Sequence, residues 1–481
     1  MTACDPIMTT SPLDAVPSGE PVLVELRGPS QEKWVPSRFN ARTVADDGRV
    51  ILWNTYSGAI SVFESRHRAR LETLLSQRGF EGPLTGLARY LYDRGFILER
   101  DADELRRFRL LYGQQQYRND ILELTLLASE DCNFRCTYCY EDFQRGTMAP
   151  SVREGVKNLV KQRARSLRVL HVSWFGGEPL YGIAAIRDLA PFFLAAAEEH
   201  ELSYSANMTT NGYLLTPEVA TDLLAWNIRQ FQVTLDGPAI THDQSRKGRN
   251  GQKTFSQIYA NLAALATRAE NFQVNIRINF DKHNFPHLDP FVDQLQSDFA
   301  HDDRFALRFR AVGKWGGAND ADLETCGLDE TRDVQRRVAM IAAKKGFNVE
   351  TGIQDVNGIG RAVCYAARPF NFVVGADGKL MKCTVALDKQ PSNIVGHLQP
   401  NGELVLNHDN MSLWTQPSFE DDKTCRSCYA LPICQGSACP LVRINTGSRA
   451  CCGTKANLRH EMLATLWKRE ATGRTVAVKH G

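Results

Sequence analysis

Six short apolar runs recur between residues 122 and 312, with helical stretches between them, and that rhythm leaves few folds open. The runs are LELTLLAS (122–129), LHVSWF (170–175), SANMTT (205–210), FQVTL (231–235), FQVNIRINF (272–280) and FALRFRAV (305–312). Helix signals lie in the intervals. Ser151-Val-Arg-Glu154 is a capping-box pattern, with Val152, Val156, Leu159 and Val160 on one face. Thr216-Pro217 places a cap before a proline at the first helical position, and Phe255, Ile258, Leu262 and Leu265 form an amphipathic stripe. Parallel strands need a long crossover, so this alternation predicts an α/β fold with a parallel sheet, open or curled into a barrel. In either case chemistry gathers at the C-terminal ends of the strands.

The polar signatures fall at those ends. Cys132-Asn-Phe-Arg-Cys136-Thr-Tyr-Cys139 follows the first run and Gly176-Gly177-Glu178-Pro179 the second. Thr209-Thr210-Asn211-Gly212 follows the third, and Thr234-Leu235-Asp236-Gly237-Pro238 the fourth. Glycines let a backbone approach a ligand closely, and Glu178 can pair with an ammonium.

The chain holds 13 cysteines, an odd number that complete disulfide pairing cannot use. Its N-terminus, MTACDPIMTTSPLDAV, lacks the basic-then-apolar pattern of a secretory signal, which places the expected location in the cytoplasm, a reducing compartment. Tight cysteine spacings then point to metal ligation or catalysis. Lys and Arg total 57 against 55 Asp and Glu, a net charge of +2, which offers no electrostatic case for nucleic acid or an anionic membrane as partner. No apolar run approaches the roughly 20 residues of a membrane span.

The cysteines divide sharply. Cys132, Cys136 and Cys139 share one loop. Cys364, Cys383, Cys425, Cys428, Cys434, Cys439, Cys451 and Cys452 crowd the C-terminal quarter, and Cys4 and Cys326 stand alone. Thiolates select zinc, copper(I) or iron–sulfur clusters. A zinc site on the first loop would need a fourth Cys or His close by, and none follows it. Three cysteines suit a four-iron cluster with one iron left open.

A CxxxCxxC loop after the first strand, with aromatic Tyr138 before the last cysteine, resembles the radical S-adenosylmethionine (radical SAM) superfamily. The resemblance implies a partial (β/α)6 barrel and a 4Fe-4S cluster on Cys132, Cys136 and Cys139. Its open iron would bind SAM, whose reductive cleavage gives a 5′-deoxyadenosyl radical. Gly176, Gly177, Glu178 and Pro179 are similar to the motif that holds the methionine amino group. Thr234 to Pro238, with His242-Asp243 and Arg246, resembles the S-L-D-G-P…H-D…R stretch of a peptide-modifying branch. By that resemblance Tyr138, Asn211, Thr234, Asp236, Arg246 and Asn279 join the cofactor-binding set. For Thr234, Asp236, Arg246 and Asn279 a purely structural hydrogen-bonding role is an open alternative.

The C-terminal cysteines resemble a SPASM extension with two auxiliary 4Fe-4S clusters, making three clusters in all. Cys364, Gly378-x4-Cys383, Cys425-x2-Cys428-x5-Cys434-x4-Cys439 and Cys451-Cys452 follow that order, with x4 in place of the family's x3 before Cys439. The resemblance assigns Cys425, Cys428, Cys434 and either Cys451 or Cys452 to the distal cluster. It assigns Cys364, Cys383 and Cys439 to the nearer one, whose fourth ligand it leaves open. A pair of structural zinc sites is the alternative.

Ahead of the barrel, PVLVELRG, FNARTVADDGRVILWN and GAISVF predict strands, with Asp46-Asp47-Gly48 as a hairpin turn. Helices are expected at Arg66–Gln77, Leu84–Arg94 and from Asp101, with a strand at Phe96-Ile97-Leu98. The pattern fits either a small winged-helix unit or an arbitrary α+β capping domain, and it resembles the winged-helix module with which peptide maturases capture a precursor's leader as an added strand. The implied organisation is a disordered tail (1–20), a winged-helix-like module (21–117), a radical SAM core (118–320), a linker helix region (321–360), a SPASM domain (361–460) and a C-terminal helix and tail (461–481). The implied activity is oxidoreductase chemistry that installs a thioether or carbon–carbon crosslink in a ribosomally made (RiPP) precursor peptide. A flavodoxin or ferredoxin would donate electrons. Two alternatives stand: a formylglycine-forming anaerobic sulfatase maturase, disfavoured by Phe370 and Thr384 where that group carries a ligand cysteine and a catalytic Asp, and a non-catalytic iron–sulfur scaffold. His460-Glu461 has no second histidine four residues on, and Leu458, Met462, Leu463 and Leu466 read as a plain amphipathic helix.

Overall fold

A computed structural model describes residues 33–349, 363–436 and 438–471. The segment PVLVELRG (21–28), the expected tail and Cys4 lie outside them. The chain divides into two compact units. One is built from Asn119–Glu350 and Pro369–Trp414, the other from the described parts of Ala3–Arg118, Thr351–Arg368 and Thr415–Gly481.

The first unit contains the expected rhythm. Six strands, β1 (Ile121–Ser129), β2 (Val169–Gly176), β3 (Ser203–Thr210), β4 (Ile228–Thr234), β5 (Gln273–Phe280) and β6 (Phe305–Ala311), lie side by side in chain order, each parallel to the next. Between them run helices α1 (Pro150–Arg163), α2 (Ile183–Glu199), α3 (Pro217–Ala225), α4 (Phe255–Ala266) and α5 (Leu288–Phe299). Each strand buries alternate apolar side chains toward the helices. On β5 these are Val274, Ile276 and Ile278, which together with Phe291, Val292 and Leu295 of α5 belong to the core.

The sheet is larger than six strands and it is mixed. A two-residue strand, β7 (Asn348–Val349), extends the β6 edge in parallel. At the other edge β8 (Asn371–Val374) pairs in parallel with β1, and β9 (Lys379–Met381), β10 (Ile394–Leu398) and β11 (Leu404–Leu406) follow antiparallel. These short strands carry too few residues for a periodic signal, so the sequence does not announce them.

Two local expectations need correction. The capping box at Ser151 does not form: α1 begins one residue earlier, with Pro150 at its first position and Ala149 as its cap. A proline whose φ is already helical starts the helix before the serine can cap it. Thr216, by contrast, caps α3, its hydroxyl accepting from the Val219 amide at 3.4 Å. Second, Pro179–Glu199 contains an 18-residue window of mean hydropathy 1.4, enough by length and composition to span a membrane. Ala185, Ile186, Leu189, Ala190 and Phe193 of α2 are buried in the protein, which marks it as a core helix.

The second unit opens with two three-stranded antiparallel sheets. Asn40–Val44, Val50–Asn54 and Ile60–Phe63 form a meander whose first turn is the expected one, with Gly48 at φ +86°. Lys33–Pro36 lies between Phe80–Glu81 and Ile97–Glu99. The helices here are shorter than the apolar pattern predicts: Arg68–Leu74 after a 3-10 turn, Gly86–Asp93, and Glu104–Gln116, which starts late because Asp103 accepts from the Arg106 amide as its cap. Helix Leu458–Ala471 buries Met462, Leu463 and Leu466 against Ile51, Trp53 and Ile60 of the meander, the amphipathic role its spacing predicts.

Candidate functional site

The cysteine loop is clamped on both sides. Phe134–Cys136 pairs antiparallel with Arg246–Gly248, which sets Arg246 directly opposite Cys136. The Thr137 amide donates to Ser245 O at 2.9 Å, Asn319 Nδ2 donates to Thr137 O at 3.1 Å, and Lys389 Nζ reaches Tyr140 O and Gly316 O. Asp131 accepts from the Cys132 amide, Arg135 and Arg249; burial opposes its ionisation, but these donors hold its carboxyl below the usual range.

Tyr138 turns its hydroxyl into a junction of four residues that the sequence spreads over some 140 positions. Its oxygen accepts from Arg246 Nη1 at 2.7 Å and Asn279 Nδ2 at 3.2 Å, and its proton goes to Asp236 Oδ2. Asp236 Oδ1 accepts from the Asn279 amide at 2.8 Å. Burial works against the charge of Arg246, yet Cys136, Tyr138 and Asp236 keep it protonated; burial pushes the Asp236 carboxyl up while Arg246 opposes that.

The residues around Asp236 brace this junction. The Asp236 amide donates to His242 Nδ1 at 3.1 Å, so Nε2 carries the ring proton in this network and faces Thr254 Oγ1 at 3.2 Å; the Thr254 hydroxyl then donates to Arg246 O at 2.6 Å. Burial, then the Arg246 charge, hold His242 well below its usual pKa and therefore neutral. Asp243 accepts from the Thr254 and Phe255 amides at the start of α4. His242 and Asp243 thus fix Arg246 and α4 in place.

At the end of β2, Gly176 has φ +123°, and a Cβ there would lie 2.1 Å from Ser129 O; on Gly177 it would lie 2.7 Å from Asp131 O and 3.2 Å from Cys132 Cβ. Glu178 is fully buried. It accepts from the Leu180 amide (3.0 Å), the Thr210 hydroxyl (2.7 Å) and the Asn211 amide (2.7 Å), so its carboxylate stitches the ends of β2 and β3 together. The sequence reading gave Glu178 an ammonium to pair with; three of its acceptor sites are already filled from within the protein. Pro179 starts the turn that leads into α2. Asn211 Nδ2 donates to Asn133 Oδ1 at 2.7 Å and lies 3.8 Å from Cys132 Sγ, which also accepts from the Phe134 amide. Thr234 is buried at the last position of β4.

Asn133, Thr210, His242, Thr254 and Asn284 join this set without having been singled out as site residues. Asn284 Nδ2 donates to Asp236 O and Asn279 O, at 3.2 and 2.9 Å. Asn133 lies inside the cysteine-loop motif, Thr210 inside the third-strand signature and His242 in the H-D of the fourth-strand motif, whereas Thr254 and Asn284 carried no signal.

The site tests well against an iron–sulfur cluster and SAM. Burial pushes the Cys132, Cys136 and Cys139 thiols up, Cys139 to about 12, which a bound metal would reverse by deprotonating them. N–H donors already aim at Cys132 sulfur, and glycines 176 and 177 leave backbone space beside it. Among the described residues no three His, Cys, Asp or Glu side chains converge as ligands of one metal ion would. Cysteines of a four-iron cluster each bind a different iron and stand further apart.

The first unit also positions Cys383. Gly378, at φ +87°, turns β8 into β9, and Asn393 grips the cysteine that follows: its Oδ1 accepts from the Cys383 amide at 2.9 Å and its Nδ2 donates to Cys383 O at 2.9 Å. In the second unit Cys364 and Cys439 are buried. Cys425, Cys428, Cys434 and Cys451 line one cavity with Lys455. Cys452 hydrogen-bonds Cys434, which lowers the Cys434 pKa and raises that of Cys452, while Cys451 is exposed. Cys326 is half-buried beside Glu330.

Against known families, residues 126–281 match the Radical SAM superfamily. These residues form a radical SAM domain. The superfamily uses SAM and a 4Fe-4S cluster. The radical SAM cyclopropyl synthase TigE of Paramaledivibacter caminithermalis is 23% identical over 185 residues, 34% of this chain and 38% of that protein, so this match spans well under half of TigE. The mycofactocin maturase MftC of Mycobacterium tuberculosis is 24% identical over 341 residues, 67% of this chain and 79% of its own length. A solved structure of anSMEcpe with bound AdoMet and a peptide superposes with a TM-score of 0.54 at 17% identity, covering 74% of this chain and 99% of that one. That likeness establishes the α/β radical SAM fold with its mixed sheet.

Proposed function

We propose that this chain is a radical SAM maturase that crosslinks a ribosomally made precursor peptide, through a thioether or carbon–carbon bond. The observation that carries the reading is the Tyr138 junction. It joins the cysteine loop, the Asp236 turn, Arg246 and Asn279 into one preorganised wall beside Cys132, Cys136 and Cys139. When bound, the cluster and SAM supply a 5′-deoxyadenosyl radical that removes a hydrogen from the substrate. Arg246, held cationic, offers its remaining N–H groups to an anionic part of SAM. Asn211 orients Cys132, Glu178 holds the β2 and β3 ends at fixed spacing, and Thr234 contributes a hydroxyl from the end of β4.

A peptide substrate is supported by the relation to MftC, a maturase, and by the peptide bound in the solved relative. Residues 21–117 serve in this reading as a leader-binding module of winged-helix type and 361–460 as a SPASM domain with two auxiliary clusters. Cys425, Cys428, Cys434 and Cys452 hold the distal cluster. Cys364, Cys383 and Cys439 hold the nearer one. A flavodoxin or ferredoxin supplies electrons in the cytoplasm. Formylglycine formation is the competing outcome, and Thr384, buried directly after Cys383, offers a hydroxyl where that chemistry uses a carboxylate.

Anaerobic reconstitution tests this. About 12 irons per chain, as three four-iron clusters require, and 5′-deoxyadenosine on adding SAM and dithionite are expected. Little more than about four irons would remove the auxiliary clusters. Competent protein that releases no deoxyadenosine with a genomically adjacent short peptide present would favour the scaffold alternative.

A further inference from the structure

The cysteine loop has an outer face that the candidate site does not use. Phe134–Cys136 and Arg246–Gly248 form a two-stranded antiparallel ribbon, with Cys136 opposite Arg246, Arg135 opposite Lys247 and Phe134 opposite Gly248. Successive side chains of a strand point to opposite faces. The face of Cys136, Arg246 and Phe134 turns inward: Phe134 and Arg246 are buried, and Arg246 reaches the Tyr138 junction. Arg135 and Lys247 take the other face, and Lys247 is exposed between two buried neighbours.

The pairing runs on past the ribbon, since the Arg249 amide donates to Asn133 O at 2.7 Å. Asp131 collects the guanidinium groups of Arg135 and Arg249, at 3.2 and 2.9 Å, which puts both on one side of the loop. The Arg249 side chain is still 50% exposed, so its pairing leaves it open to a further anion. The chain turns at Gly251, whose amide donates to Gly248 O at 2.8 Å, and Lys253 beyond the turn is exposed. No acidic residue occurs between Asp131 and Glu141, nor between Asp243 and Glu270. Four cations against the one carboxylate of Asp131 leave a surplus of three here, more than the +2 of the whole chain. Lys247 directly across from Arg135 is also a like-charge pair, which costs the ribbon stability.

A patch of this kind attracts anionic partners and speeds their encounter. Its place decides which partner fits. A substrate peptide on the outer face would have the whole ribbon between it and the Tyr138 wall. An electron meets no such barrier, because a single strand's backbone separates that face from the Cys136 sulfur. We propose that this outer face, with Lys247, Arg249 and Lys253 as its contacts, docks a small acidic one-electron carrier protein that reduces the cluster by way of Cys136. The reduced carrier loses one electron, the 4Fe-4S cluster gains it, and no bond forms or breaks. This rests on the cluster assigned under the proposed function, and adds to it the surface by which the donor approaches.

The test uses the anaerobically reconstituted full chain, with a recombinant flavodoxin as the acidic probe. Oxidised flavodoxin reports binding, and reduced flavodoxin reports the rate of cluster bleaching in stopped flow. In Lys247→Glu/Lys253→Glu both are expected to fall at least about tenfold at about 0.01 M salt, where charges act over about 30 Å. At about 1 M salt the loss should shrink below about twofold. Lys161→Glu/Lys344→Glu makes the same charge change on exposed residues of the two helices that lead into β2 and β7, at the other end of the sheet. That control should stay within about twofold of the parent. Photoreduced deazariboflavin, an uncharged reductant, should bleach the cluster equally in all three proteins. Lys247→Gln/Lys253→Gln, with a smaller loss in the same direction, carries the test if the reversed variant does not fold. Flavodoxin that does not bind the parent, a low-salt rate that survives the reversal, or an equal loss in the control overturns the proposal. Neither binding nor bleaching needs SAM or peptide. A chain that is reduced normally yet releases no deoxyadenosine therefore sinks the proposed function and leaves this docking face standing.

Discussion

Arg246 Nη1 lies 2.7 Å from the Tyr138 hydroxyl, which passes its own proton to Asp236. One phenol thus separates and satisfies a buried cation and a buried anion. Tyr138→Phe removes that oxygen and leaves both charges short of a partner. A loss of about 1–3 kcal/mol in unfolding free energy is expected, read from anaerobic urea titrations, together with weaker SAM binding. A variant as stable as the parent would show that the junction contributes nothing.

Glu178 accepts only from donors, two backbone amides and one hydroxyl. In Glu178→Gln an amide group must face at least one of those donors, so the β2 and β3 ends separate. The expected cost is about 1–3 kcal/mol, visible as a lower urea midpoint. An unchanged midpoint would mean that the carboxylate is not the stitch between the strands.

Glycine positions separate strain from contact. Gly176 and Gly251 both have positive φ, but a Cβ on Gly176 strikes Ser129 O whereas one on Gly251 meets nothing within 4 Å. Gly251→Ala should cost about 1–2 kcal/mol from backbone strain alone. Gly176→Ala should cost more than that and yield no reconstitutable cluster. Similar soluble yields and iron contents for the two variants would contradict the packing at Gly176.

Asp422 caps the helix that carries Cys425, accepting from the Thr424 and Cys425 amides, and it pairs with Arg449. The Arg449 hydrogen bond, opposed by slight burial, lowers its pKa to about 2. A depressed acid contributes stability above its unfolded pKa of 3.8 and loses it as pH falls toward its folded value. The stability gap between parent and Asp422→Asn should therefore be constant from about pH 5 to pH 7 and close between about pH 4 and pH 2. Being a surface pair, it should also shrink with salt.

Cys451 and Cys452 are neighbours in sequence with different surroundings. Cys452 contacts Cys434, while Cys451 is exposed at the cavity edge. Cys452→Ser should lose about four irons, one cluster's worth, and Cys451→Ser none. The reverse pattern in iron analysis and Mössbauer spectra would exchange the two assignments.

The parallel core and the strand-end motifs were legible in the sequence because both are one-dimensional signals: an apolar period, and cysteine or glycine spacings within a single loop. The three cysteines of the first loop, Gly176 to Pro179 and the Thr216 cap all belong to that class. The antiparallel extension β9–β11 did not, since its strands are short. The Ser151 box failed because Pro150 competed one residue earlier, a contest that pattern matching does not weigh.

What only tertiary structure decided is which distant side chains share one hydrogen-bond centre. Arg246 and Asn279 lie 108 and 141 residues from Tyr138, and no local propensity couples them. Sheet register does, by setting Arg246 across from Cys136 and Thr234 across from Arg277. Burial adds the rest, since in a place without water each donor must find an acceptor. Residue types and spacings alone therefore determined what kinds of group this protein has to offer. The packing of β4, β5 and the cysteine loop decided which of them meet.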